Sequence, residues 1–129
     1  MKTTLSLFAV TLLIGWAAAS AATEPGLTAR LVDPDANSVK ATAVVQVEVV
    51  GVELIDPALA TPGEGPGQAH LHYRVDKGPV IATPTPKLAF HDLSVGRHRI
   101  EVGLADNEHQ PLGPAQVLEV VIRPTVARK

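Results

Sequence analysis

Beyond residue 26 the chain runs in short stretches in which apolar and polar side chains alternate, interrupted roughly every 8 to 12 residues by Pro or Gly. A period of two is the mark of a strand with one buried face, and no segment sustains the 3.6-residue period of an amphipathic helix. The pattern predicts seven strands, at residues 27–32, 39–50, 69–75, 80–83, 88–91, 97–105 and 116–122. Within 39–50, Ala43, Val45, Val47 and Val49 share a face against Val44, Gln46, Glu48 and Val50. Within 97–105, His98, Ile100, Val102 and Leu104 turn inward and Arg97, Arg99 and Glu101 outward. Within 69–75, Ala69, Leu71, Tyr73 and Val75 form the inward row, leaving His70, His72 and Arg74 outward, followed by Asp76. Asp76-Lys77-Gly78-Pro79 is a tight turn that returns this strand into 80–83. The stretch 56–67, DPALATPGEGPG, is a loop, of a length at which loops are usually either functional or mobile.

Seven short strands in about 100 residues fit an all-β, immunoglobulin-like antiparallel β-sandwich. Leu93-Ser94-Val95-Gly96-Arg97-His98 has the L-x-x-G-x-aromatic form of the corner before the sixth strand (F) of such sandwiches, where a Tyr usually bonds the upstream backbone. Leu93, Gly96 and His98 are then structural, with His98 in the place of the Tyr. In that topology 69–75 is strand C, antiparallel to strand F at 97–105, so the start of one lies beside the end of the other.

The first 22 residues depart from this pattern. MKTTLSLFAVTLLIGWAAASAA has one cation at Lys2, an apolar block from Leu5 to Trp16, and a run of small residues, the layout of a secretory signal peptide. The block is too short for a membrane span and lacks a charged stop-transfer flank. We therefore expect a signal peptide at 1–22 and one sandwich domain at 23–129. The protein would be periplasmic or secreted, with no membrane span after cleavage. Cleavage removes the only Trp, the only Met and one of the two Phe residues, and takes the net charge from -2 to -3. With no Cys in the chain, disulfides, thiolate metal sites and thiol nucleophiles are excluded. No basic field exists to hold nucleic acid, and Tyr73 and Phe90 alone make no stacking platform.

The chemistry that remains is carried by five histidines, all between residues 70 and 109. His91 has no partner identifiable from sequence. His70 and His72, at i and i+2 of one strand, point to the same face, where two imidazoles can converge on one metal ion. The segment Ala105-Asp106-Asn107-Glu108-His109, leaving the end of strand F, can bring His109 and a carboxylate of Asp106 or Glu108 to the same edge. Three His and one carboxylate suit Cu(II), Zn(II) or Ni(II) and suit Ca or Mg poorly. Two other readings use the same residues. The first makes His70, His72 and Arg74 a solvated outer face, with Arg99 and Glu101 as cross-strand charge partners. The second makes the imidazoles a hydrogen-bonded cluster tying the loop to the strand.

Enzyme readings have less to stand on. Ser38 and Ser94 lack a G-x-S-x-G elbow, and Gly63, Gly65 and Gly67 lack the Lys and following helix of a phosphate loop. Hydrolytic zinc would need an open coordination position and a base such as Glu108.

The segments AHLHYRVDKGPVIAT, KLAFHDLSVGRHRIEVGLADNEHQPLGP and EVVI resemble a family of small secreted bacterial domains of unknown function. That family is marked by an H-x-H-Y strand and a G-x-H-x-I-x-V-x-L-A-D-x-x-H-x-P-x-G-P segment. Its pattern falls on His70, His72, Tyr73, Gly96, His98, Asp106, His109, Pro111, Gly113 and Pro114. The resemblance covers about residues 69–122 and implies an exported immunoglobulin-like sandwich without bringing an activity. A related family carries a further His where this chain has Leu112. Sequence alone therefore supports a non-enzymatic exported sandwich binding a divalent transition metal through His70, His72, His109 and Asp106. The alternative is a metal-free structural module of the cell envelope, contacting an envelope protein through a sheet edge or the 56–67 loop.

Overall fold

The computed structural model describes residues 24–61 and 67–125. The expected leader, residues 62–66 of the long loop and the last four residues lie outside them. The element order is β1 (Gly26–Val32), α1 (Pro34–Ser38), β2 (Ala43–Val50), β3 (Glu53–Leu54), β4 (Gln68–Val75), β5 (Ile81–Thr83), β6 (Lys87–Phe90), β7 (Gly96–Ala105) and β8 (Gln116–Ile122). One sheet runs β1-β2-β6 and the other β3-β4-β7-β8, with β5 also paired to β4. This is an all-β sandwich of immunoglobulin-like order, β4 and β7 holding the places of strands C and F. All pairings are antiparallel except the short parallel one in which Glu53 and Leu54 of β3 meet Gln68 and Ala69 of β4.

Alternation sorts each strand into two faces, and the inward faces of both sheets meet in one core. Ala29, Val45, Val47 and Phe90 come from the smaller sheet, and Leu71, Tyr73, Ile100, Val102, Leu104, Val120 and Ile122 from the larger. Each fully buried aliphatic side chain of this set contributes about 1.5–3 kcal/mol. Tyr73 packs edge-on against Phe90 with ring centroids 6.1 Å apart, and its hydroxyl donates to the Thr85 carbonyl at 2.7 Å. Burial pushes the Tyr73 phenol up to about 12, so it stays a donor at any physiological pH.

The pattern misses the short β3 at Glu53–Leu54, and it misleads ahead of β2. Residues 39–42 continue the alternation of 43–50 but are not strand; they follow the short helix α1. Pro34 in the first turn supplies the fixed φ that helix entry favours. The Asn37 side chain donates to the Val32 carbonyl at 2.8 Å, and the Ser38 hydroxyl donates to the Asp35 carbonyl at 2.8 Å. Local hydrogen bonding outcompetes a strand extension there, because β2 has paired with all of β1 by the time it reaches Ala43.

At the entrance to β7 the chain turns at Gly96, whose φ of 125° a side chain would strain. Leu93 packs on the core, and His98, buried on the inward face, donates through Nε2 to the Ser94 carbonyl at 2.7 Å. An imidazole thus makes the upstream backbone bond that a Tyr makes in the related corners.

Candidate metal centre

Three imidazoles meet where β4 begins and β7 ends. His70 and His72 leave β4 on the face away from the core, and their register partners on β7 are Ala105 and Gly103. Neither partner has a side chain longer than a methyl group. The space above the two imidazoles is left to the chain that follows β7.

That chain folds back tightly. Ala105 pairs with Pro111, and the Leu112 N–H donates to the Leu104 carbonyl at 2.7 Å. The Asp106 N–H reaches the Gln110 carbonyl at 2.9 Å, and the His109 N–H the Asp106 carbonyl at 3.0 Å. Asp106 organises the turn from within, its Oδ1 accepting the backbone N–H groups of Glu108 and Gln110 at 2.9 Å each. The Asn107 amide donates to the Gln68 side chain at 3.1 Å, fastening the loop to the start of β4. His109 closes the turn at φ 61°, a left-handed conformation that costs a residue with a side chain about 1 kcal/mol or more.

The result is a triangle of ring nitrogens. His70 Nε2 lies 2.8 Å from His72 Nε2 and 3.2 Å from His109 Nδ1, and the latter two are 3.4 Å apart. His70 is fully buried, His72 half-buried and His109 exposed, so the group runs from the interior of the loop to its surface. A neutral ring nitrogen carries either a proton or a lone pair, never both. Three such atoms in mutual contact therefore include at least one pair that is proton to proton or lone pair to lone pair, and no choice of tautomers makes all three contacts hydrogen bonds. His70 Nδ1, on the other side of its ring, is buried without a partner. A cation at the centre removes the conflict by accepting three lone pairs.

The electrostatics act in the same direction. Burial holds the His70 pKa below its ordinary value, with His72 and His109 adding to the effect and Asp106 opposing it. Burial also lowers His72, with His109 adding to it. Both rings are free bases near neutral pH, the form that binds metal.

The remaining expected residues fall elsewhere. The ligand atoms within 4.8 Å of one another belong to His70, His72 and His109, and three histidines could hold a metal ion here. Asp106 stands outside this group and builds the loop that carries His109. The solvated-face reading fails at His70, which is on the outer face but covered by the returning loop. Its proposed charge partners also differ. Glu101 is the register partner of Arg74, yet its carboxylate lies 3.5 Å from Arg99. His91 receives a partner from the neighbouring strand of its own sheet, Thr42 Oγ1 at 3.2 Å from Nδ1, just beyond the Ala43–Phe90 pair.

Sequence reasoning missed the cleft beside the triad. It has a volume of about 210 Å³ and is lined by His72, His109, Arg74, Glu101 and Gly103, among others. Gly103 was the signal available, a lone glycine in a strand of large residues, where strand glycines often mark close approach of another group.

No family model matches the chain, and no curated protein matches it. Among solved structures, the chain is similar to the extracellular domain of a candidate one-component system from B. thetaiotaomicron. The identity is 12% and the TM-score 0.43, over 64% of this chain and 10% of that one.

Proposed function

We propose that this protein is an exported, non-enzymatic β-sandwich that binds one divalent transition metal ion, Zn(II) foremost, through His70, His72 and His109. The observation that carries the reading is the nitrogen triangle, with sides of 2.8, 3.2 and 3.4 Å. Nitrogens so spaced can all lie about 2.0–2.1 Å from a single point, the Zn–N bond length. Tetrahedral zinc with such bonds places its ligand nitrogens about 3.3 Å apart, whereas three ligands in a square plane include a pair about 4 Å apart. The triangle has no such long side. It therefore favours Zn(II) over the planar preference of Cu(II) or Ni(II).

Export is supported by the leader-like first 22 residues, and no helix among the described residues is long and apolar enough to cross a membrane. The test is thermal unfolding of the tag-free protein with and without Zn(II). At a metal concentration of about 100 times Kd, binding should add about 2.7 kcal/mol of stability. Replacing both His70 and His72 by Ala should abolish the increase, and an increase that survives the double replacement would remove these residues as ligands.

A further inference from the structure

The cleft beside the triad carries a second chemistry. Arg74 follows His72 by two residues on the same face of β4, about 6.6 Å along the strand, and both line the cleft. Its guanidinium has no ion-pair partner among the described residues, and its Nε is buried without a hydrogen bond. The carboxylate opposite, Glu101, is held near Arg99 at 3.5 Å. A guanidinium is always charged and consists only of donors, so one that has no ion pair and whose Nε is buried without a bond marks a place where an acceptor belongs. Gly103, the register partner of His72, lines the cleft. A Cβ added there would meet Ala115 Cβ at 3.7 Å, an ordinary contact. Packing alone does not require a glycine at this position; the missing side chain keeps the cleft open.

We infer that this cleft binds a small oxyanion, a carboxylate or a phosphate, held at one end by Arg74 and at the other by the metal ion at His72 and His109. The inference rests on the metal reading above. A bound divalent ion adds positive charge to a cleft that already holds an unpaired guanidinium, and Glu101 alone cannot balance both. A carboxylate or phosphate offers two oxygens in the spacing that the guanidinium fork matches. About 210 Å³ is room for roughly seven water molecules, enough for a small acid and too little for a polymer segment. Because His70 is buried behind the other two rings, the remaining coordination positions of the metal open on the cleft side, within reach of such an anion.

The experiment loads the tag-free protein with Co(II) in a nitrate-based, non-coordinating buffer. Malonate and inorganic phosphate are then titrated separately, following heat and the visible cobalt spectrum. Wild type should bind one of them saturably, at least tenfold more tightly than Arg74→Gln and with a spectral shift that the variant lacks. Arg74→Lys should fall between, and the tighter of the two anions identifies the source. In anion-free buffer Arg74→Gln should match wild type in Co(II) affinity within about threefold, since Arg74 is not a ligand. Equal anion binding by wild type and Arg74→Gln, or no anion response from a protein that has taken up Co(II), overturns the anion site and leaves the metal site standing. Failure of wild type to take up Co(II) overturns both.

Discussion

Buried histidines occupy both ends of the β4–β7 ladder, and the two ends treat them in opposite ways. At one end His98 has an acceptor for each ring nitrogen, the Ser94 carbonyl 2.7 Å from Nε2 and the Asp76 carboxylate 2.8 Å from Nδ1. Each bond uses a ring proton, so the pair favours the imidazolium. Its pKa is raised, first by the Ser94 carbonyl and then by Asp76, with burial working against them. Asp76 is lowered in turn, mainly by the Arg99 backbone N–H and then by His98. At the other end the ring nitrogens of His70 and His72 meet imidazoles, and burial prevails over the opposing charge of Asp106. The two ends are similarly enclosed, His98 at 8% exposure and His70 at 0%. Burial disfavours the charged form of both rings; at His98 the two acceptors outweigh it, and at His70, among imidazoles, it prevails. One end is a closed structural lock, and the other presents lone pairs that only a cation satisfies together.

The comparison breaks most sharply at His109. Replacing it with Ala should weaken Zn(II) binding at least 100-fold, about 2.7 kcal/mol or more, as measured by competition with a chromophoric chelator. A smaller loss would mean that two rings suffice.

His98→Ala removes two hydrogen bonds made by a charged ring and should lower unfolding stability by about 2 kcal/mol, measured by urea denaturation. The same variant should bind Zn(II) like wild type, because its ring lies at the far end of the ladder. An effect on zinc would show that the two ends are coupled.

Their pH dependences should have opposite signs in the metal-free protein. The His98 contribution is complete below the unfolded value of 6.5 and is lost as pH rises through the raised folded value. Its partner Asp76 contributes above 3.8, and that part is lost as pH falls through its depressed folded value. His70 and His72 resist protonation when folded, so they cost stability as pH drops below 6.5, where the unfolded chain takes up protons that the cluster refuses. The damage done by His98→Ala should accordingly be greater at pH 5.5 than at pH 8. His70→Ala/His72→Ala should recover relative to wild type at pH 5.5. Urea midpoints of the three proteins at both pH values decide it, and parallel profiles would refute the assignment.

The smallest effect concerns the strained turn. His109→Gly should raise the stability of the metal-free protein by about 0.5–1 kcal/mol, since a glycine adopts φ 61° without penalty, while losing the third ligand. A destabilised variant would mean that the His109 ring is itself holding the loop down.

Much of this was legible because strands report their faces directly. The alternation at residues 43–50 and 97–105 points to the strands, and the antiparallel placement of β4 beside β7, without its residue register, follows from the corner at Leu93, Gly96 and His98. That placement alone brings His70, His72 and His109 to one edge. What stayed hidden depends on contacts that no local pattern encodes. Asp106 was read as a ligand, but an Asp at the head of a turn serves equally well as an acceptor for the N–H groups two and four residues on. The alternation places His70 on the outer face, and a solvated face stays open as an alternative because the alternation of a strand cannot tell whether a later loop will cover it. Asp76 was placed in a turn, and its bond to His98 spans 22 residues.

The central claim is that three imidazoles form one metal site, and calorimetric titration of the tag-free protein with Zn(II) at pH 7.5 and pH 5.5 tests it most directly. The account expects saturable one-to-one binding at pH 7.5 that weakens at least tenfold at pH 5.5, as protons compete for the same three nitrogens. Absence of binding at both values, or binding that pH leaves unchanged, would contradict it.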